Sequence, residues 1–580
     1  MNGGLAPHHP RTALEGAAKQ ALETGRTRLL VTGALFSLAF VAIGLRLADV
    51  TIVKPAGEPK LAAAKRTPAF AAGRADIVDR NGVLLATSLN TASLYANPRQ
   101  VLDAREAAAK LARALPGIAA AEVLGKLTSD RSFVWIKRHL TPKQQYAVNA
   151  AGIPGLYFQR EERRIYPQGR VLAHVLGFAG TDGTGLAGIE KSFDDVLRSG
   201  NSPLRLSLDS RVQHVLHQEL EAAVTRFRAE GAAGMVMDAN TGEIIAMVSL
   251  PDFDPNLPNA IPPKAAFNRS TLGVYEMGST FKIFSTAMAL DAGTTGMKRG
   301  YDASKPIRIA RFVISDFHGK NRWLSVPEIF IYSSNIGAVK MALDLGTQRQ
   351  QEYLRRFGLT TPATIELPEV GAPLLPSPWR EINTLTISFG HGIAVTPVQL
   401  AQATAAVVNG GVLPHATLLA SLKDEPPKGK RILKEQTSRD MRRLMRLVVS
   451  EGTGGKAEAK GYVVGGKTGT AEKTGGRGYR AKALVSSFAG AFPINDPRYV
   501  VLVIVDEPHG NAQSMGYATG GWVAAPVVSN VVRRAAPLLG VTPQDEDSPE
   551  ITRALHLDLP SAKRKPTSRG RRPGEQVASY

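Results

Sequence analysis

A chain of 580 residues with 43% hydrophobic and 21% charged side chains is long enough for two or three folded domains and too apolar to be mostly disordered. It has no cysteine, which rules out a thiolate nucleophile, a cysteine-ligated zinc and a disulfide framework, and suits an envelope protein that avoids thiols. The formal net charge of +21 raises nucleic acid or an anionic surface as a partner, but no zinc-finger spacing or RNA-binding aromatic signature accompanies it, so no nucleic acid is expected.

In chain order, Leu29–Leu45 comes first, a run of 17 residues without a charge, near the lower limit for crossing a bilayer core. Arg26 and Arg28 stand immediately before it, with Arg11 and Lys19 further upstream. The positive-inside rule then keeps residues 1–28 in the cytoplasm, makes 29–48 a transmembrane anchor and exports the rest. A cleaved signal peptide is the competing reading. The run is longer than a signal core and no small-x-small site closes it, so an uncleaved anchor is expected.

Residues 49–203 mix short strand-like runs with turn signals. Asn81-Gly82 predicts a hairpin turn, because both residues tolerate positive φ. Ala104–Leu115 carry helical periodicity. Leu204–Asp209 reads as a strand running into an amphipathic helix through Val212, Val215, Leu216 and Leu220. Two apolar strands follow, joined as a hairpin through Asp238–Gly242, and Leu484–Phe492 with Tyr499–Val505 predict another pair. Strands at both ends of 204–540 around a helical middle predict an α+β domain, one antiparallel sheet flanked by helices. Beyond 540 the chain turns polar, and Lys563, Arg564, Lys565, Arg569, Arg571 and Arg572 crowd together. Residues 541–580 are expected to be a basic flexible tail, solvated or drawn to anionic lipid headgroups or wall polymers.

Three short patterns carry chemistry. The first is Ser279-Thr-Phe-Lys282. At the start of a helix, i, i+3 spacing puts the hydroxyl and the amine on one face. A serine needs a partner to take its proton, and a lysine does so only when burial and a second cation keep it neutral. About two Ser-x-x-Lys matches are expected by chance in a chain this long, so the pattern alone reads as a surface helix. Here Ser279 is the only serine with lysine three positions later. The second pattern, Ser333-Ser-Asn335, offers a hydroxyl and a carboxamide for relaying a proton and holding an amide; otherwise it is a capping turn before a helix at Ile336. Ser88-Leu-Asn90 and Ser199-Gly-Asn201 also match, but only Ser333 lies C-terminal to the nucleophile candidate. The third is Lys467-Thr468-Gly469-Thr470, where an edge-strand glycine lets a substrate backbone approach and the lysine and hydroxyls bind a carboxylate. Lys473-Thr474-Gly475 repeats its letters, but is set aside because it runs into Gly-Gly-Arg-Gly, read as a loop.

In this order the patterns are those of serine β-lactamases and penicillin-binding proteins. The chain resembles the class B penicillin-binding proteins, most closely the FtsI-type cell-division transpeptidases. The likeness extends to Arg74-Ala-Asp-Ile-Val-Asp79-Arg80-Asn81-Gly82, Arg164-Ile-Tyr166-Pro167, His174-Val-Leu-Gly177 and Gly185-Leu-Ala-Gly188-Ile-Glu190, segments that build the family's non-catalytic pedestal. It therefore implies an elongated pedestal of the dimerisation type over 49–203 and a penicillin-binding/β-lactamase-like transpeptidase domain over 204–540. A structural role is expected for His174 and Glu190. Asn335, where elongation enzymes usually carry aspartate, and Ser388-Phe-Gly390-His391-Gly392 favour division over elongation. Ala75 in place of a glycine and Met277 in place of a frequent proline depart from the family pattern.

The resemblance implies roles residue by residue. Ser279 attacks the D-Ala-D-Ala bond of a peptidoglycan stem and Lys282 takes its proton. Ser333 passes a proton to the leaving amine with support from Lys467, and Asn335 holds the substrate amide. Thr468 and Thr470 contact the terminal carboxylate beside Gly469, and the backbone N–H groups of Ser279 and Thr470 form an oxyanion hole. A second stem's amine resolves the acyl-enzyme, β-lactams acylate Ser279, and no cofactor or metal is required. Septal cross-linking from the inner membrane, with divisome proteins and an FtsW-type glycan polymerase as partners, completes the expectation. A β-lactamase or β-lactam sensor shares the three motifs but not the pedestal segments, and a non-catalytic divisome scaffold would not need every reacting side chain.

Overall fold

The computed structural model describes residues 12–48, 73–200, 202–309, 312–421, 429–475, 478–557 and 559. The chain divides into two compact units, Met1–Ala71 and Ala72–Tyr580. In the first, one helix, α1 (Thr12–Ala48), contains a stretch long and apolar enough to cross a membrane, Glu23–Leu45. Its Leu30, Leu35, Phe36, Leu38 and Phe40 side chains are exposed, which an apolar solvent would accept and water would penalise.

The second unit begins with a pedestal region. Strand β1 (Ile77–Val78) turns back onto the long strand β2 (Leu84–Ala96), and Leu204–Arg205 (β5) adds parallel to β1. Further along, β2 is flanked on one side by β3 (Val134–Leu140) and on the other by β4 (Leu156–Ile165). The β1–β2 turn falls at Asn81-Gly82 as expected, but only Gly82 takes positive φ. Asp79 Oδ1 holds the rest of the turn by accepting from the backbone N–H groups of Asn81 and Val83. Helices α2 (Ala104–Ala114), α3 (Ala120–Leu127) and α4 (Pro142–Ala150) bury Leu111, Val123, Leu127 and Val148 against Leu94, Val134 and Ile136 of the sheet.

The larger region is an antiparallel five-stranded sheet between two helical layers. Strands β6 (Gly231–Asp238) and β7 (Ile244–Leu250) form the expected hairpin. They are joined by β8 (Gly465–Gly475), β9 (Gly478–Phe492) and β10 (Tyr499–Asp506) in the order β8-β9-β10-β6-β7, which leaves β8 as an edge. Because both faces are covered, the central strands read as continuous apolar runs, with alternate residues entering different cores. Val501, Val503 and Val505 pack with helices α5 (Ser210–Phe227) and α10 (Ala524–Leu538). Val500, Leu502 and Ile504 pack with α6 (Lys282–Asp291), α8 (Pro397–Val408) and α9 (Glu435–Ser450). This second core runs on into Ile77, Leu85 and Leu176 at the base of the pedestal.

One expectation changes. Residues 541–557 were to begin the tail, yet a short helix, α11 (Pro549–Leu555), buries Ile551 and Leu555 in the main core, and Glu546 pairs with Arg446. The basic cluster Lys563–Arg572 lies outside the described residues, as does Arg11. The expected roles of His174 and Glu190 are structural in their surroundings. The ring of His174 bonds the Ala265 carbonyl at 2.8 Å, and burial lowers its pKa to about 4. Glu190 lies fully buried between Arg74 and Arg164, at 2.5 and 2.7 Å.

Candidate active site

The Ser279 turn is shaped by its neighbours before any chemistry is considered. Gly278 has φ of +51°, which costs a glycine little, and its N–H donates to the Gly390 carbonyl. Thr280 Oγ1 donates to the Met277 carbonyl at 2.7 Å. The result is a 3₁₀ turn over Gly278–Phe281, with the α-helical geometry of α6 beginning at Lys282 rather than at Ser279. Phe281 and Phe284 anchor this turn in the core, their rings 5.3 Å apart, and carry Lys282 inside with them. Lys282 is 1% exposed, whereas Ser279 is only half-buried at the surface of the groove.

Ser333 comes from a second element. A short helix over Val326–Ile331 ends, and helix α7 (Asn335–Leu345) starts after a single tight turn. Ser333 occupies that turn with φ of +58°, a conformation unfavourable for a residue with a Cβ, and so directs its carbonyl at Lys282. The helix cap is its neighbour, since Ser334 Oγ accepts from the Gly337 N–H at 3.0 Å.

Asp316, which no motif flagged, fixes this turn. It accepts from the backbone N–H of Asn335 at 2.6 Å and of Ile336 at 3.0 Å, and from Ser334 Oγ at 2.7 Å. A carboxylate at a helix N-terminus is favoured by the unpaired N–H groups there. The adjacent Ser315 carbonyl accepts from Asn335 Nδ2 at 3.1 Å, which turns Oδ1 of the carboxamide towards Lys282.

The third wall is edge strand β8. Lys467 is fully buried, and its Nζ donates to Ser333 Oγ and to the Thr468 carbonyl, each at 3.1 Å. A Cβ on Gly469 would stand 2.6 Å from the Met277 carbonyl oxygen and 2.8 Å from the Thr280 methyl, so only glycine lets the strand close on the Ser279 turn. Thr468 and Thr470 flank it, Thr470 Oγ1 accepting from the Gly520 N–H at 3.1 Å. The repeated letters at Lys473 lie on the same strand, not in a loop. A register shift between Glu472 and Thr474 interrupts the ladder, and the Lys473 ammonium is held by Asp506 and Glu507 at 2.9 and 2.8 Å. Against the lowering effect of burial, those carboxylates together raise its pKa and hold it as a charged ion-pair partner.

Ser279, Lys282, Ser333, Asn335 and Lys467 therefore share one hydrogen-bonded cluster. Lys282 Nζ lies 2.6 Å from the Ser333 carbonyl, 2.7 Å from Asn335 Oδ1, and 3.1 Å from each of Ser279 Oγ and Ser333 Oγ. The two nearer partners only accept and the two farther ones can donate. A neutral amine fits this set: its two N–H bonds go to the carbonyl oxygens and its single lone pair is left for a proton from one of the two hydroxyls. Burial first and the neighbouring Lys467 second push the Lys282 pKa well below the ordinary lysine value, against a weaker upward pull from Asp316. Burial alone brings Lys467 down to about 7. Burial is the larger cause that lowers the His391 pKa, to about 4.

A serine, a lysine pushed towards its neutral form and a second hydroxyl in one hydrogen-bonded cluster can act together as nucleophile, base and relay. The penicillin-binding protein transpeptidase domain model matches residues 232–533 and the penicillin-binding protein dimerisation domain model matches 69–222. The chain belongs to the penicillin-binding protein transpeptidases, with the dimerisation-type pedestal of that family. It is 40% identical to the probable peptidoglycan D,D-transpeptidase FtsI of Caulobacter vibrioides, over 91% of each chain. It is 30% identical to the peptidoglycan D,D-transpeptidase FtsI of Escherichia coli, over 82% of this chain and 86% of that one. Its fold matches the crystal structure of penicillin-binding protein 3 of Mycobacterium tuberculosis with a TM-score of 0.65 at 23% identity, covering 82% of this chain and 98% of the other.

Proposed function

We propose that this enzyme, a peptidoglycan D,D-transpeptidase, cross-links stem peptides through an acyl-enzyme on Ser279. One observation carries the site assignment: Lys282 Nζ, fully buried, lies 3.1 Å from both the Ser279 and the Ser333 hydroxyl. Ser279 Oγ attacks the carbonyl of the penultimate D-alanine and its proton passes to the Lys282 amine. The C–N bond breaks, and Ser333 hands a proton from the Lys282–Lys467 side to the departing D-alanine amine. Asn335 supports the donor amide, Thr468 and Thr470 hold its terminal carboxylate, and N–H groups of Ser279 and Thr470 receive the oxyanion. A stem amine then attacks the ester, forms the cross-link and returns the proton to Ser279. β-Lactams are ligands of the same groove.

With Glu23–Leu45 as its apolar helix, the enzyme is a single-pass inner-membrane protein. The reading places the catalytic part in the periplasm at the division septum, alongside divisome proteins and an FtsW-type glycan polymerase. Arg26 and Arg28 before the span support the orientation, and Asn335 and the Ser388–Gly392 segment support division. A fluorescent penicillin should label the full-length protein in membranes at Ser279 and should not label a folded Ser279→Ala variant. Absence of label on folded wild type, or label on another residue, sinks the assignment. A fluorescent fusion spread along the lateral wall would sink the septal part alone.

A further inference from the structure

Beyond the three motifs, the flank of β8 holds a threonine with no assigned part. Thr453 Oγ1 lies 2.8 Å from Thr468 Oγ1. It sits on the Glu451-Gly-Thr-Gly454 turn, where the N–H groups of Gly452 and Gly454 both donate to the Val448 carbonyl, at 3.1 and 3.0 Å. We propose that Thr453 is a positioning residue that donates to Thr468 and thereby sets the Thr468 hydroxyl as a hydrogen-bond donor to the substrate's terminal carboxylate. The proposal rests on the reading of Thr468 and Thr470 as the carboxylate-binding strip.

A hydroxyl has one proton and two lone pairs, and a carboxylate only accepts. Both hydroxyls of the strip must therefore spend their proton on the ligand and be satisfied by donors from elsewhere. At Thr470 the donor is fixed, because the Gly520 N–H cannot accept and bonds Oγ1 at 3.1 Å. Thr468 receives the equivalent bond from Thr453, a hydroxyl whose proton is free to point inwards. Two loops thus supply one donor each. A donating neighbour also polarises the O–H it supports, which strengthens that bond to an anion.

The two loops are held to each other. A Cβ on Gly521 would meet the Thr453 carbonyl at 2.7 Å, so the later loop packs directly on the earlier turn. Lys456 Nζ stands 4.1 Å from the centre of the Trp522 ring, a cation–π contact that ties the turn carrying Thr453 to the loop carrying Gly520.

The test compares benzylpenicillin with its methyl ester, which lacks the carboxylate, as acylating agents of full-length protein in detergent. Second-order acylation constants are measured for wild type, Thr453→Val and Thr453→Ser. Wild type should prefer the acid by at least about tenfold, the worth of charge-assisted hydrogen bonds. Thr453→Val should lose about tenfold on the acid and stay within about twofold on the ester, and Thr453→Ser should restore wild-type behaviour. A valine variant that retains the acid preference, or that slows equally on both agents, overturns the proposal while leaving the strip intact. A wild type indifferent to the carboxylate overturns the strip itself. If the valine variant does not fold, Thr453→Ala is read in its place with the same outcomes.

Discussion

Two clusters of buried charge-bearing side chains lie in this protein, one in the pedestal and one in the groove, and they solve the cost of burial in opposite ways. In the pedestal, Glu190 accepts from Arg74 and Arg164 on separate oxygens, Arg74 also reaches Asp194 at 2.6 Å, and Tyr166 completes the cluster. Opposite charges meet there, one glutamate between two arginines. In the groove, two lysines are buried with no carboxylate partner among the described residues; their bonds run to hydroxyl and carbonyl oxygens. Lys282 is pushed furthest towards giving up its proton, and a lysine without its proton is a base. Compensation makes a joint, and withholding it makes a reagent.

That contrast is sharpest where each cluster loses a central group. Lys282→Met should cut acylation by penicillin at least about a thousandfold, since the base goes with the amine. Its melting temperature should stay within a few degrees of wild type, because removing a desolvated amine offsets the two carbonyl oxygens it leaves bare. A variant that unfolds instead would show the lysine to be structural. Glu190→Gln should do the reverse. It leaves buried Arg164 without its carboxylate and Arg74 with Asp194 alone, and should cost about 3–5 kcal/mol, read by denaturant or thermal unfolding. Acylation per folded molecule should be unchanged. A stable Glu190→Gln protein with impaired acylation would break the comparison.

The sequence exposes the two regions unequally. The sheet was legible because its strands, covered on both faces, announce themselves as apolar runs, and the hairpins at 231–250 and 478–506 appear where such runs predict them. Ser279 and Lys282 were legible because covalent spacing alone brings them to one face. That spacing survives although the turn is 3₁₀ and not the start of an α-helix. Lys473 shows the limit: its letters equal those of Lys467 and it lies on the same strand, and only a register shift and two acids from β10 and its end remove it. Asp316 was illegible for a different reason. It acts on backbone N–H groups of α7, which leave no trace in side-chain pattern. Ile551 and Leu555, one helical turn apart, were too few to read as core in a polar stretch, yet they fold it.

The finest difference between the clusters is one of titration, and it yields the smallest expected effect. The second-order acylation constant reports ionisations of the free enzyme. If Lys467 works charged, donating to Ser333, then a pKa of about 7 makes it the source of a falling limb. The sign follows directly: below that pH the ammonium is present, and above it the donor to Ser333 is lost. Lys282 sets the opposite limb, because its amine must be free and falling pH protonates it. The profile should therefore be a bell whose alkaline side begins near pH 7, with acylation dropping about tenfold over the next one to two pH units. Lys467→Arg keeps its charge throughout this range, so a slower but alkaline-flat profile is expected from it. A wild-type rate that climbs unbroken to pH 9 would mean that Lys467 serves as a neutral group, and the groove would then hold two uncharged amines where the present reading has one base and one cation.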